Sequence, residues 1–206
     1  MHDLQSWPRR SYTGNVGAPA PVWVVLGSFQ PLRLDSAQYR TQGLPDGMQM
    51  LKVLKGQRGF PDHVFQATWA EMANQDHPGL LAQAREAPEA WLLEGTVQDG
   101  TSLDYLRDLI GLVACLFDRG ARAVVDVLAF KWWDRESFLH QLWMPRRPMP
   151  FQHVTILASP RPDGLLWVHT RGMRLFGRPD VSVPRVEPAD VERVTEALND
   201  LIVLFT

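Results

Sequence analysis

TSLDYLRDLIGLVACLFDRG followed by ARAVVDVLAFKWWD, Thr101 to Asp134, is the stretch whose reading decides the fold. In its first half Leu103, Leu106, Ile110, Val113 and Phe117 recur at three- and four-residue steps, which puts them on one face of a helix. Leu109, Leu112 and Leu116 add a second stripe, so the helix is expected to be buried on more than one side. Thr101 or Ser102 is the candidate N-cap, Asp104 and Asp108 suit the positive end of the helix dipole, and Arg119 suits the other end. Gly120 can take the left-handed conformation that closes a helix. A strand over Ala121–Leu128 follows at once. Ala121, Ala123, Val125 and Val127 point one way, Val124 and Leu128 the other, and Asp126 interrupts the pattern. Two apolar faces predict a central strand covered on both sides. The only cysteine, Cys115, falls inside the helix as a small core residue, so no intrachain disulfide can form and a reducing compartment fits.

Working outward, Trp91–Val97 predicts the preceding strand. The resulting strand–helix–strand unit has its strands either as parallel neighbours or with another strand between them. Further upstream, Val22–Leu26 predicts a strand and Asp35–Gln42 a short helix capped by Asp35 or Ser36. Met48–Leu54 fits helix or strand, His63–Trp69 alternates like a strand, and Leu80–Glu86 reads as a short helix. Downstream, Ser137–Trp143 predicts one or two helical turns, and three prolines exclude regular structure over Met144–Gln152. His153–Ala158 and Leu165–Thr170 predict a hairpin around SPRPDG, with Asp163 and Gly164 supplying the turn. Arg171–Gly177 reads as a single turn and Val181–Val186 as an edge segment, with Pro184 in it. A last amphipathic helix starts near Pro188 and carries Val191, Val194, Leu198, Leu201, Ile202 and Phe205 as its packing stripe. The expected architecture is α+β: a single two-layer domain over residues 21–206, with a mixed, largely antiparallel sheet and helices packed on it. Residues 1–20 are expected to form a loosely held arm.

Composition narrows the function classes. Of 206 residues 45% are hydrophobic, enough for a sizeable core and against disorder. The net charge of −2 does not mark a nucleic-acid binder. Charge is uneven: residues 1–60 hold seven basic and three acidic side chains, residues 61–120 three and ten, residues 121–206 eleven and ten. The acidic middle reads as a solvated face. No apolar run is long enough to span a bilayer and no signal peptide is visible, so a cytoplasmic protein without a membrane partner is expected. Eight tryptophans suit a core or an interaction face.

Two constellations could carry chemistry. Lys131 to Asp134 is followed by Glu136 and His140. If a short helix opens here, Glu136 and His140 share a face and could supply two ligands, although a helix start with a surface ion pair explains the same residues. Trp132 and Trp133 point in opposite directions if extended, which places at least one in the core and leaves the other, Trp133 among the candidates, to line a groove. The second constellation is His169 to Asp180, HTRGMRLFGRPD, in which Arg171, Arg174 and Arg178 lie among glycines. Guanidinium forks match carboxylate and phosphate geometry, so His169, Arg171 and Arg174 are binding-surface candidates. The competing account pairs Arg171 or Arg178 with Asp180 or Asp126. The phosphate-loop, GxGxxG, HExxH and GxSxG patterns are all missing, and no cofactor or metal is expected.

The blocks GARAVVDVLAFKWW (Gly120 to Trp133) and HTRGMRLFGRPDVSV (His169 to Val183) resemble an uncharacterised bacterial domain family. The resemblance covers about half of the chain and rests on glycines and apolar positions. It implies a cytoplasmic α+β domain acting as an immunity-like or regulatory binding protein, with no catalytic residue to carry over. The expected function is therefore a non-catalytic interaction module for a protein or an acidic small molecule. The alternative is a metal-dependent or other hydrolase using Asp134, Glu136, His140 and His169. The sequence carries no signal of oligomeric state.

Overall fold

The computed structural model describes residues 4–9, 11, 12, 14 and 17–205. Five strands form the larger sheet: β1 (Val22–Gly27), β2 (Met48–Leu54), β3 (Glu89–Gly95), β4 (Ala121–Asp126) and β5 (Lys131–Trp133). Their order is β2-β3-β1-β4-β5, and every neighbouring pair is antiparallel. The helices around it are α1 (Ser36–Tyr39), α2 (Ala67–Asp76), α3 (Leu80–Arg85), α4 (Asp104–Asp118) and α5 (Arg135–Phe138). A smaller antiparallel sheet, β6 (Thr155–Pro160), β7 (Leu166–Arg171) and β8 (Ser182–Val186) in that order, is followed by α6 (Val191–Phe205). The α+β class expected from the sequence holds. It uses two sheets rather than one, and helices cover both faces of the larger sheet, so the stack is deeper than two layers. Among the described residues no helix is long and apolar enough to cross a membrane.

The period of two along β1, β4 and β5 divides the core. Trp23, Val25, Val124 and Trp133 join α4 in one cluster. Val24, Leu26, Ala123, Val125 and Trp132 join α2 and α3 in another. β4 ends at Asp126, two residues earlier than expected. The Asp126 carboxylate accepts from the Leu128 and Ala129 amides, each at 3.1 Å, and so turns the chain into β5. β1 is the strand lying between β3 and β4. Gly120 closes α4 at φ 111°, and a Cβ there would meet the Ser28 carbonyl oxygen at 2.1 Å.

Three expectations are corrected. His63–Trp69 is a 3-10 turn (Asp62–Phe65) leading into α2, not a strand. Phe65, Trp69 and Ala73 stand at four-residue steps and all pack into the α2–α3 cluster, so a helical period outlasts the short alternation. Neither Thr101 nor Ser102 caps α4. Leu103 stands at that position without a side-chain bond, and Ser102 instead bridges Pro8. The described part of the arm over 4–9 is tied down, because Trp7 is buried at 5% exposure and its amide bonds Asp104 at 2.7 Å. Arg9 pairs with Asp99, which Arg178 also reaches at 3.3 Å.

Candidate functional site

The residues singled out from sequence do not converge on one site. Trp133 is 1% exposed and packs on Trp23, Phe138 and His153, and it reaches only the wall of a polar pocket that it shares with Asp76, His77, Lys131 and Gln141. His169 is 5% exposed and its ring stacks on Trp167 with centroids 3.9 Å apart. Burial holds its pKa below the usual histidine value. Arg171 is half-buried over the Phe130 ring, 5.9 Å from its centroid, while Arg174 is exposed. Asp180 accepts from Thr170 Oγ1 at 3.1 Å and the Met173 amide at 3.2 Å, and Asp126 accepts from Trp23 Nε1 at 3.0 Å. Arg178 therefore finds Asp99 rather than either expected acid. Asp134 caps α5 by accepting from the Ser137 amide at 2.8 Å. Glu136 and His140 are exposed, and the backbone between them passes from α5 into a π-helical turn (Leu139–Trp143). Among the described residues no group of three or more His, Cys, Asp or Glu is placed to hold a metal ion.

Arginines do converge elsewhere, in a cleft of about 300 Å³ between residues 4–7, the end of α1, α4 and the loop after the π-helical turn. Local chemistry builds it step by step. Asp35 caps α1 by accepting from the Ala37 and Gln38 amides, both at 2.9 Å. One turn later Arg40 ends the helix in the left-handed region, at φ 53°. Thr41 Oγ1 then donates to the Asp108 carbonyl at 2.7 Å, which fixes this corner to α4. Gly111 permits that approach, since a Cβ there would lie 2.3 Å from the Tyr39 carbonyl oxygen. Trp7, Tyr39, Ile110, Leu142 and Trp143 give the cleft an aromatic and apolar wall.

Three guanidinium groups line this cleft: Arg40, Arg107 and Arg146. Arg107 is compensated. It binds Asp108 at 3.0 Å, lies 3.4 Å from Asp104, and donates to the Gln5 carbonyl at 2.9 Å. Arg40 lies over the Trp143 ring, 4.0 Å from its centroid, and donates to the Trp143 carbonyl. Its Nε is buried without an acceptor. No carboxylate of the described residues pairs with Arg40 or Arg146. Burial, and then the charge of Arg146, pull the pKa of Arg40 down. Two like charges facing one cleft are disfavoured until an anion enters. The described lining residues include no Ser, Thr, Cys, His, Lys, Asp or Glu, and their one hydroxyl, that of Tyr39, donates to Asp118 at 3.0 Å, with burial helping to push its pKa up to about 12. An anion with an apolar body finds both a charge partner and a wall here.

Sequence reasoning marks Met144–Gln152, which carries Arg146, as irregular, and does not single out Arg40. The only local sign of Arg40 is its place one turn after the Asp35 cap. Compared with known proteins, the chain matches no known family, and no curated protein or solved structure is significantly similar to it.

Proposed function

We propose that this protein is a non-catalytic binding module for an acidic small molecule, held in the cleft of Arg40, Arg107 and Arg146. One observation carries the reading: Arg40 and Arg146 share an aromatic-walled cleft without a carboxylate partner among the described residues. The carboxylate or phosphate of the ligand takes the two uncompensated guanidiniums, and its apolar body lies against Trp7 and Trp143. This keeps the acidic partner expected from the sequence but moves it from Arg171 and Arg174 to a different surface. Asp134 is occupied as a helix cap, which leaves the hydrolase alternative without a free acid at that position.

Calorimetric titration with benzoate and phenyl phosphate tests the reading. Binding to the unaltered protein is expected. A charge-assisted hydrogen bond is worth about 1.5–3 kcal/mol, so Arg40→Ala should weaken binding by roughly tenfold or more. Arg146→Ala, at an exposed position, should weaken binding without touching the fold. No heat with either ligand, or equal affinity in both variants, would sink the proposal.

A further inference from the structure

The arginine cleft does not end at Trp7. A larger groove of about 720 Å³ adjoins it, and the two share Gln5, Trp7 and Arg146. Beyond those residues the groove has a mixed wall: Leu103, Pro148 and Pro150 with Val203 and Leu204 of α6 are apolar, and Ser6, Arg9, Ser11, Arg147 and Asp200 are polar or charged. Val203 is 60% exposed and Leu204 51%, while Leu198 and Ile202 of the same helix are buried. Large apolar side chains left in water along a groove mark a place for something apolar. Of the charged residues lining the groove, Arg9 is paired with Asp99, and the others are unevenly placed. Arg146 and Arg147 lie on the loop that borders the first cleft, and Asp200 lies on α6 with Val203 and Leu204.

We infer that the two clefts hold one ligand, a free single-chain amphipathic acid: its carboxylate lies between Arg40 and Arg146, and its hydrocarbon chain follows the groove to Val203 and Leu204. This rests on the function proposed above and names its ligand class. The positive end fixes the headgroup, and Asp200 repels it from the far end. Ser6, Ser11 and Arg147 also line the groove, but the stretch beside Pro148, Pro150, Leu103, Val203 and Leu204 favours hydrocarbon over peptide. Pro148 and Pro150 have no N–H to offer, and an extended peptide would leave backbone groups unpaired against Leu103, Val203 and Leu204. A saturated chain has no such groups to satisfy.

The test is a calorimetric series of hexanoate, octanoate, decanoate and dodecanoate below their aggregation limits. Each methylene buried should tighten binding by roughly two- to fourfold. The double variant Val203→Asn, Leu204→Asn changes two mostly exposed side chains without adding charge. It should flatten the series, weakening dodecanoate far more than hexanoate. A flat series in the unaltered protein, with hexanoate still bound in an Arg40-dependent way, overturns this inference and leaves the arginine cleft standing. No binding by any member overturns both. Sedimentation with phosphatidylglycerol vesicles separates the two sources of such chemistry. Capture by vesicles without binding of the free acids would assign the groove to a membrane surface and overturn the inference as well.

Discussion

Arg40 and Arg146 adopt φ of 53° and 56°, a region where a side chain bearing a Cβ is strained by about 1–2 kcal/mol. Both line the same cleft; Arg40 also holds the Trp143 ring and carbonyl, whereas the Arg146 side chain has no ion pair among the described residues and glycine would suit its backbone better. Arg146→Gly should therefore leave stability in urea unchanged or slightly raised while weakening acid binding. A fall of more than about 1 kcal/mol would mean that the side chain holds the loop. This is also where sequence reasoning stops short. Alternation put Trp132 and Trp133 on opposite sides of a strand, and both are buried. What alternation cannot show is that His153 and Phe176, far along the chain, lie on the Trp133 side of that core. Arg171 and Arg174 were singled out because arginines cluster there in sequence. Arg40 and Arg146 are more than a hundred residues apart, and only folding brings them together.

At the scale of elements, the unit from α4 to β4 was legible because two periods, 3.6 and 2, change over at a single glycine. Val125 is fully buried, registered between Val24 and Trp132. Val125→Asp should cost several kcal/mol by burying an unpaired charge, read as a lower urea midpoint. An unchanged midpoint would mean that Val125 is not buried in the core. The misread elements share a cause. Over His63–Trp69 the alternation was too short to separate from a turn leading into a helix. The start of α4 was expected to use its own hydroxyls, yet the strap at Trp7 supplies the partners: the Leu103 amide donates to the Trp7 carbonyl at 2.7 Å. A contact made by a segment a hundred residues away leaves no trace in local capping patterns.

For the molecule as a whole, stability against pH turns on two buried groups flanking Trp23. Burial pushes the Asp126 carboxyl up to about 7. In the unfolded chain it titrates near about 4. Between those values the folded state keeps a proton that the unfolded state has lost, so stability falls as pH rises. His153 is fully buried, with neither ring nitrogen bonded to a described residue, and stacks on Trp23 at 5.8 Å. Burial, aided by the charge of Lys131, pushes it down to about 3. The unfolded chain then binds the extra proton below about 6.5, so this group makes stability rise with pH. The two slopes oppose each other from about pH 4 to 6.5, each near one proton, or roughly 1.4 kcal/mol per pH unit. Asp126→Asn should expose the rise and His153→Phe the fall, measured by thermal melts across that range. Slopes of the same sign in both variants would overturn this account. The order of the larger sheet has a consequence in time. β1 is paired on one side by β3 and on the other by β4, both made later. At about 5–20 residues per second, VWVVLG is synthesised roughly five to twenty seconds before its second neighbour. Until then an uncharged apolar strand keeps an open edge, and its protection from aggregation in the cell belongs to chaperones and not yet to the fold.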